Sequence, residues 1–192
     1  RLHLWSAKQN EQRLIEQTMA GGAMNSPLAP THMVSFANGA GNKIDAYVHA
    51  SVSYRQGQCQ AGFPLRTSQM TVTLRNTAPK FGLPDYVDSR LDISDTAAGQ
   101  GSTNMLTYLH LPAGSAFIRA TYGDKPAYVV MAGQENGHTV WRFDNAIAAK
   151  SRKTLTVTFV EPSSSATKQP KLGAVPMAND VQLQTKLGKP CA

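Results

Sequence analysis

The sequence lacks any run of about 18 consecutive apolar residues, the length that a membrane-spanning helix requires. We therefore expect no membrane span within this chain. No signal peptide is recognisable either, and the chain begins at Arg1 rather than at a methionine. We expect an excised part or a mature product, with any targeting segment and membrane anchor upstream.

Cysteine is scarce, since only Cys59 and Cys191 occur. They are far apart and lack the short spacing of a zinc knuckle or a CxxC redox motif. Two alternatives remain: a disulfide that ties the chain end to a loop in its first third, or two free thiols of a cytosolic protein. We favour the disulfide, because a penultimate cysteine contributes little to a core and serves well as a covalent link.

Motifs of catalysis and metal binding are also missing. The five histidines are scattered without an HxH or HExxH pair, so we expect each to be a surface or strand residue: His3, His32, His49, His110 and His138. The serines form no GxSxG elbow. The sequence therefore predicts no catalytic residue and no cofactor.

Acidic residues are few: 12 Asp and Glu stand against 19 Lys and Arg, which gives a net charge of +7. The positive charge is diffuse, and its densest cluster is Lys150, Arg152 and Lys153. No basic stripe with interleaved aromatic residues occurs, so we do not expect nucleic acid as a partner. A polyanionic neighbour of another kind remains compatible with the charge.

Four of these acids fall within eleven residues: Asp85, Asp88, Asp92 and Asp95. Carboxylates are the ligands that calcium prefers, but the spacing differs from that of an EF-hand loop. We interpret the segment as a solvated acidic loop with local turn hydrogen bonds, and these residues are only weak metal candidates.

The dominant positive signal is an alternation of apolar and polar residues with period two, which is typical of half-buried strands. It predicts a long strand over 44–54 and a second over 69–77, which ends in a proline-rich connection. Further strands are predicted at 33–36, 104–111, 116–122, 127–132, 138–144 and 153–160. We read Gly39–Lys43 as a hairpin turn. About eight strands without crossover helices favour a mainly β fold, an antiparallel β-sandwich that is Ig-like in general architecture.

The two ends of the chain differ from this body. Residues 1–30 are predicted to form a helix and linker, with a helix over 6–20 that begins at a capping box of Ser6 and Gln9 and packs on the body through Leu14 and Ile15. The body spans 31–160. Residues 161–192 are predicted to be a long extended tail whose final strand, over 181–186, adds to a sheet edge and is pinned by the disulfide.

Two hypotheses for a binding or catalytic site come from residue type alone. Aromatic side chains could form a platform for sugars, although such residues more often fill a core: Trp5, Trp141, Tyr47, Tyr86, Tyr108 and Tyr128. Glycoside hydrolysis would need two carboxylates across a cleft, and the candidates are Asp45, Asp85 and Asp144.

Several segments together resemble one known family: RLHLWSAKQNEQ, GNKIDAYVHASV and TVTLRNTAPKFGLPDYV, continuing through LPAGS and GHTVWRF. They are similar to the C-terminal part of an actinobacterial group, domain-of-unknown-function family 4012. The positions that match its pattern best are Asn76, Pro79, Leu83, Pro84, Asp85 and Tyr86. The resemblance implies an envelope protein with an N-terminal membrane anchor and a preceding region outside this chain, and it supplies no catalytic residues.

The expected function is a non-catalytic, exported envelope module that presents an interaction surface toward anionic or glycan wall components. A polysaccharide-acting enzyme or accessory carbohydrate-binding domain is the alternative, and a structural spacer is the third hypothesis.

Overall fold

The computed structural model of this chain describes residues 4–18, 31–92, 99–163 and 169–191. Within them, eleven strands form two packed sheets. In spatial order, the five-stranded sheet contains β10 (Leu172–Ala174), β1 (His32–Asn38), β4 (Thr103–Pro112), β8 (His138–Ile147) and β7 (Met131–Glu135). The six-stranded sheet contains β11 (Gln182–Lys186), β2 (Val48–Cys59), β3 (Leu65–Asn76), β9 (Arg152–Pro162), β5 (Ala116–Tyr122) and β6 (Lys125–Ala127). The predicted mainly β sandwich is confirmed.

Strand pairing is antiparallel inside each sheet and parallel at two edges. β10 runs parallel to β1, and β11 runs parallel to β2 with Leu183 opposite Val52. The predicted final strand at a sheet edge is therefore confirmed. β10 was not predicted, and the two parallel pairings at the sheet edges add to the predicted, mainly antiparallel sandwich.

The core lies between the sheets and follows the alternation of the sequence. In β3, Met70, Val72 and Leu74 are buried, and their neighbours on the opposite face are partly exposed. In β9, Leu155, Val157 and Phe159 are buried in the same way. Apolar residues at every second position thus turn one face of each strand toward the core.

Three predicted local elements were wrong. Residues Ile44–Tyr47 form a 3-10 helix, so β2 begins only at Val48. The predicted strand over 127–132 is split between β6 and β7. The segment 39–43 is not a hairpin turn, because β1 and β2 belong to different sheets and it crosses between them.

The N-terminal helix, α1 (Gln9–Glu16), is shorter than predicted and begins after Lys8. Ser6 is not the cap residue: its hydroxyl donates to Glu11 at 2.6 Å and accepts the backbone N–H of Lys8 at 3.2 Å. No residue of α1 is buried, and Leu14 is 65% exposed. The predicted packing of this helix on the body is therefore wrong for the described residues, and residues 19 and 20 of the predicted helix lie outside them.

Candidate functional site

A buried cluster of polar side chains joins the two sheets at one end of the sandwich. His32, the first residue of β1, comes from the five-stranded sheet, whereas Tyr54 of β2 and Glu161 of β9 come from the other. All three are buried, and the His32 ring stacks on the Tyr54 ring with 4.2 Å between centroids. The cluster lies where the apolar core gives way to the sandwich end.

Glu161 is the centre of the cluster. Its Oε2 lies 2.5 Å from His32 Nε2, and its Oε1 accepts the Tyr54 hydroxyl at 2.5 Å. Because a carboxylate only accepts hydrogen bonds, the proton in the first contact belongs to Nε2 of His32. Both carboxylate oxygens are thus engaged by side chains from the two sheets.

Thr31 orients the other side of the histidine ring. Its hydroxyl lies 2.9 Å from His32 Nδ1 and accepts the backbone N–H of Lys171 at 2.9 Å. The same threonine therefore ties β1 to the residue that precedes β10. The ring is held between Thr31 and Glu161, so its orientation is set before any ligand arrives.

Burial and hydrogen bonding act in opposite directions on Glu161. Burial raises the pKa of its carboxyl, but the hydrogen bond and charge of His32, together with the Tyr54 hydrogen bond, outweigh this and leave the pKa below its ordinary value. Burial and the nearby Glu161 carboxylate raise the pKa of Tyr54. At neutral pH the cluster therefore contains an ionised carboxylate and a neutral phenol.

A cavity of about 290 Å³ opens beside this cluster, and we call it the Glu161 cavity. Its wall contains Thr31, His32, Tyr54, Gln56, Pro112, His138, Glu161, Pro162, Ser163 and Pro170. Largely apolar walls with a few convergent polar groups are typical of small-molecule sites. This cavity is the candidate functional site.

Two comparisons with known proteins found no match. No family model matches the chain, and no curated protein sequence matches it. The resemblance to family 4012 therefore stays a prediction.

Sequence reasoning missed this cluster, although one signal for it was present. In β9 the inward positions read Leu155, Val157 and Phe159, and Glu161 continues the same face. A carboxylate at a core position needs a buried partner. The expectation that His32 is an ordinary surface or strand histidine was incomplete, because its buried ring is that partner.

The disulfide lies at the same end of the molecule. Cys59 and Cys191 are bonded, with 5.6 Å between their Cα atoms, so the favoured alternative is confirmed. The bond fixes the C-terminal arm, residues 187–191, across the ends of β2 and β3. The backbone N–H of Gly188 donates to Gln56, a residue that also lines the Glu161 cavity.

Arg66 is buried beneath this arm, with only 1% of its surface exposed. Its Nη2 donates to the carbonyl of Lys189 at 2.9 Å and lies 3.1 Å from the sulfur of Cys191. Its Nε and Nη1 make no hydrogen bond to the described residues. Arg66 faces Glu161 across the β3–β9 pair, yet the guanidinium turns toward the arm.

The acidic loop does not assemble into a metal site in the described residues. Asp88, at the end of a short helix, α2 (Asp85–Asp88), accepts the backbone N–H of Gly101 at 2.6 Å. Asp92 is held by Arg90 through two hydrogen bonds of 2.9 and 2.8 Å, which lower its pKa. Asp95 lies outside the described residues. Across the described ranges, no group of three or more His, Cys, Asp or Glu could hold a metal ion.

The carboxylates proposed for glycoside hydrolysis lie on separate elements. Asp45 accepts a hydrogen bond from Asn38 at 2.8 Å, Asp85 is on α2, and Asp144 is paired with Arg142 at 2.9 Å. None of them lines the Glu161 cavity, and Glu161 is the only carboxylate among the described residues of its wall. This arrangement brings no two of the predicted acids together in that cavity.

The predicted aromatic platform is likewise dispersed. Trp141 is buried in the core, where it makes edge contacts with Phe117 and Phe159. Trp5, Tyr86 and Tyr128 are exposed on three different parts of the fold. Tyr47 and Tyr108 are partly buried.

No helix among the described residues is both long enough and apolar enough to cross a membrane.

Proposed function

We propose that this chain is an exported module of an actinobacterial cell envelope that presents an interaction surface and is not itself a catalyst. The observation that carries this proposal is the Cys59–Cys191 disulfide. Disulfides persist in oxidising environments outside the cytosol and are rare within it. The resemblance to family 4012 adds a membrane-anchored upstream region of the same polypeptide as a partner.

The state of Glu161 supports binding over hydrolysis. In most glycoside hydrolases, two carboxylates flank the scissile bond, and each must exchange a proton or attack the sugar. Glu161 is the one carboxylate that the described part of the cavity wall contains, and both of its oxygens accept hydrogen bonds from buried partners. Such a carboxylate stabilises the fold and shapes the wall of a binding site.

The net charge of +7 supports an anionic wall polymer as one partner of the outer surface. Among the described strands, only Arg142 lies in the five-stranded sheet, and the other strand lysines and arginines lie in the six-stranded sheet. They form no compact cluster along the sequence, so we expect this attraction to be diffuse. Attraction between exposed charges weakens as salt shortens the screening length to about 10 Å at 0.1 M ionic strength. Specific recognition would persist under those conditions.

The test is co-sedimentation of the purified chain with actinobacterial cell-wall material at low and at moderate salt. A neutral β-sandwich protein serves as the control for trapping in the pellet. We expect the chain to pellet at both salt concentrations and the control to stay in the supernatant. Loss of the chain from the pellet at moderate salt would contradict specific wall recognition and favour a spacer.

The alternative of an accessory carbohydrate-binding domain is favoured by one observation, the Glu161 cavity with its largely apolar wall. A variant that fills this cavity would abolish salt-resistant wall binding if the cavity takes part. Unchanged wall binding would place recognition elsewhere on the surface.

A further inference from the structure

We infer that the Glu161 cavity is a binding site for a single neutral sugar ring. This inference rests on the proposed function, because it names the ligand class and the location through which an envelope module would contact a glycan.

The charge of the described wall disfavours an anionic ligand in this cavity. Among the described residues that line it there is no lysine or arginine, and Glu161 is the only carboxylate. An anionic sugar or polymer would approach that carboxylate without a lysine or arginine of the described wall to compensate. The diffuse positive charge of the molecule therefore acts elsewhere on the surface.

The same carboxylate does not call for a cationic ligand. Both of its oxygens are engaged by His32 and Tyr54, each at 2.5 Å. A buried carboxylate that already has two donors, one of them a histidine ring, gains little from an incoming ammonium group. A neutral ligand fits these groups best.

The wall offers apolar surfaces of the size of a ring. Pro112, Pro162 and Pro170 contribute rigid hydrocarbon faces, and the rings of His32 and Tyr54 lie at the base. A sugar ring has an apolar face of C–H groups, and burying that face on such surfaces is favourable. The volume of about 290 Å³ is at the lower end for ligand pockets, which suits one ring rather than a long chain.

Polar groups at the cavity wall suit the hydroxyls of that ring. His138 has Nδ1 3.2 Å from the carbonyl of Asn136, and its Nε2 makes no hydrogen bond to the described residues. Ser163 is held by its backbone N–H, which donates to the carbonyl of Pro64 at 2.8 Å, and its hydroxyl can donate or accept. Imidazole and hydroxyl groups exchange hydrogen bonds with sugar hydroxyls in both directions.

The experiment is an NMR titration of the isotope-labelled chain, with its disulfide intact. The probes are the methyl glycosides of glucose, galactose and N-acetylglucosamine, with glucuronate as an anionic sugar and a capped triproline as an apolar peptide. We expect saturable shifts for at least one neutral glycoside, confined to residues of the Glu161 cavity. Glucuronate and triproline are expected to give no saturable shifts there.

Three variants sharpen the test. His138→Ala removes one rim hydrogen bond and should weaken glycoside binding about threefold to tenfold. The matched control is His49→Ala, since His49 is exposed on β2 and does not line the cavity. Ser163→Phe should fill the cavity and abolish the titration, and its thermal unfolding shows whether the variant is folded.

The outcomes separate this site from the proposed function. Wall binding without a glycoside titration overturns the sugar site and leaves the envelope module intact. A cavity-confined titration without wall binding supports the sugar site and contradicts the envelope proposal. Stronger binding of glucuronate or triproline, or equal weakening by His138→Ala and His49→Ala, also overturns the sugar site.

Discussion

His32 and Glu161 connect the two sheets through a hydrogen bond of 2.5 Å between Nε2 and Oε2, and each side chain is 2% exposed. The two residues are 129 positions apart in sequence. At this degree of burial little water can replace either partner, so the contact matters both for stability and for the shape of the Glu161 cavity.

Glu161→Gln tests the energetic weight of this contact. The amide keeps the shape but loses the charge, and it turns a donor toward either His32 or Tyr54. Breaking one partner of a buried pair is costly, so we expect the free energy of unfolding to fall by about 3 kcal/mol. Urea denaturation measures it.

The control is Glu135→Gln, because Glu135 also faces a histidine but has a side chain that is 59% exposed. We expect the free energy of unfolding of Glu135→Gln to change by no more than about 0.5 kcal/mol. Similar decreases in Glu135→Gln and Glu161→Gln would contradict a special role for the buried pair.

Acid should destabilise the protein through the same carboxyl. The pKa of Glu161 is lowered in the folded state, so the unfolded chain takes up this proton first as the pH falls. Its stabilising contribution is complete above the ordinary glutamate pKa of about 4.3 and is lost as the pH falls through the folded value. Unfolding measured from pH 6 downward should show a shallower decline in Glu161→Gln than in the parent chain. If the free energy of unfolding falls with pH at the same slope in both proteins, other groups cause the loss of stability in acid.

Tyr54→Phe should act at the opposite end of the pH scale. The variant loses a hydrogen bond to a charged acceptor, so we expect about 2 kcal/mol less stability at neutral pH. The pKa of Tyr54 is raised, so its contribution is complete below the ordinary value of about 10 and is lost as the pH rises beyond it. The variant should therefore lose less stability than the parent above pH 10.

Tyr122, whose pKa burial raises to about 12, remains in the variant and should supply part of the alkaline decline. Tyr128→Phe is the control, because Tyr128 is 76% exposed. If Tyr128→Phe loses as much stability at neutral pH as Tyr54→Phe, the buried hydrogen bond is not the cause of the loss in Tyr54→Phe.

Reduction of the disulfide should release the C-terminal arm. The bond closes a segment of 132 residues, and removing such a link costs about 2 to 5 kcal/mol. All residues of β11, which precedes the arm, are exposed, so little burial holds the chain next to the arm. We expect tryptic cleavage after Lys186 to accelerate in reduced protein and in a Cys59→Ser, Cys191→Ser double variant. Equal cleavage in oxidised and reduced protein would show that the pairing of β11 and the hydrogen bonds of the arm are sufficient to hold this segment.

Gly101 and Gly82 form a matched pair for backbone strain. Both have positive φ, +69° and +82°, which costs a residue with a side chain about 1 kcal/mol or more. A Cβ at Gly101 would lie 2.3 Å from the carbonyl oxygen of Pro79, whereas a Cβ at Gly82 meets nothing within 4 Å. We expect Gly101→Ala to cost at least about 1 kcal/mol more than Gly82→Ala in thermal or urea unfolding. Equal costs would rule out the close approach as a source of strain.

The strands could be predicted because one face of each is buried. The alternation of apolar and polar residues correctly predicted β3, β8 and β9, with errors only at the ends of these strands. It failed at 44–47, where Ile44 and Val48 are buried but Ala46 is exposed. Ile44 and Val48 are four positions apart, a spacing that also fits a helical turn. Because Ala46 lies between them, the segment fitted a period of two as well, and a strand was predicted.

The candidate site could not be predicted, because its members are polar residues on strands distant in the chain. Glu161 and Arg66 both continue the inward face of a strand, which marks each as a buried charge that needs a partner. The local pattern does not tell which histidine pairs with Glu161 or which backbone carbonyl accepts a hydrogen bond from Arg66. Such pairing depends on how the two sheets align.

The sequence by itself determined the fold class and most of the strands, because periodicity and turn residues act locally. It also favoured the covalent link, because a single pair of cysteines can form only one disulfide within the chain. Tertiary structure alone decided the parallel edges, the union of His32, Tyr54 and Glu161, and the cavity beside them. These depend on the relative placement of two sheets, and that placement is set by the packing of the whole core rather than by any segment.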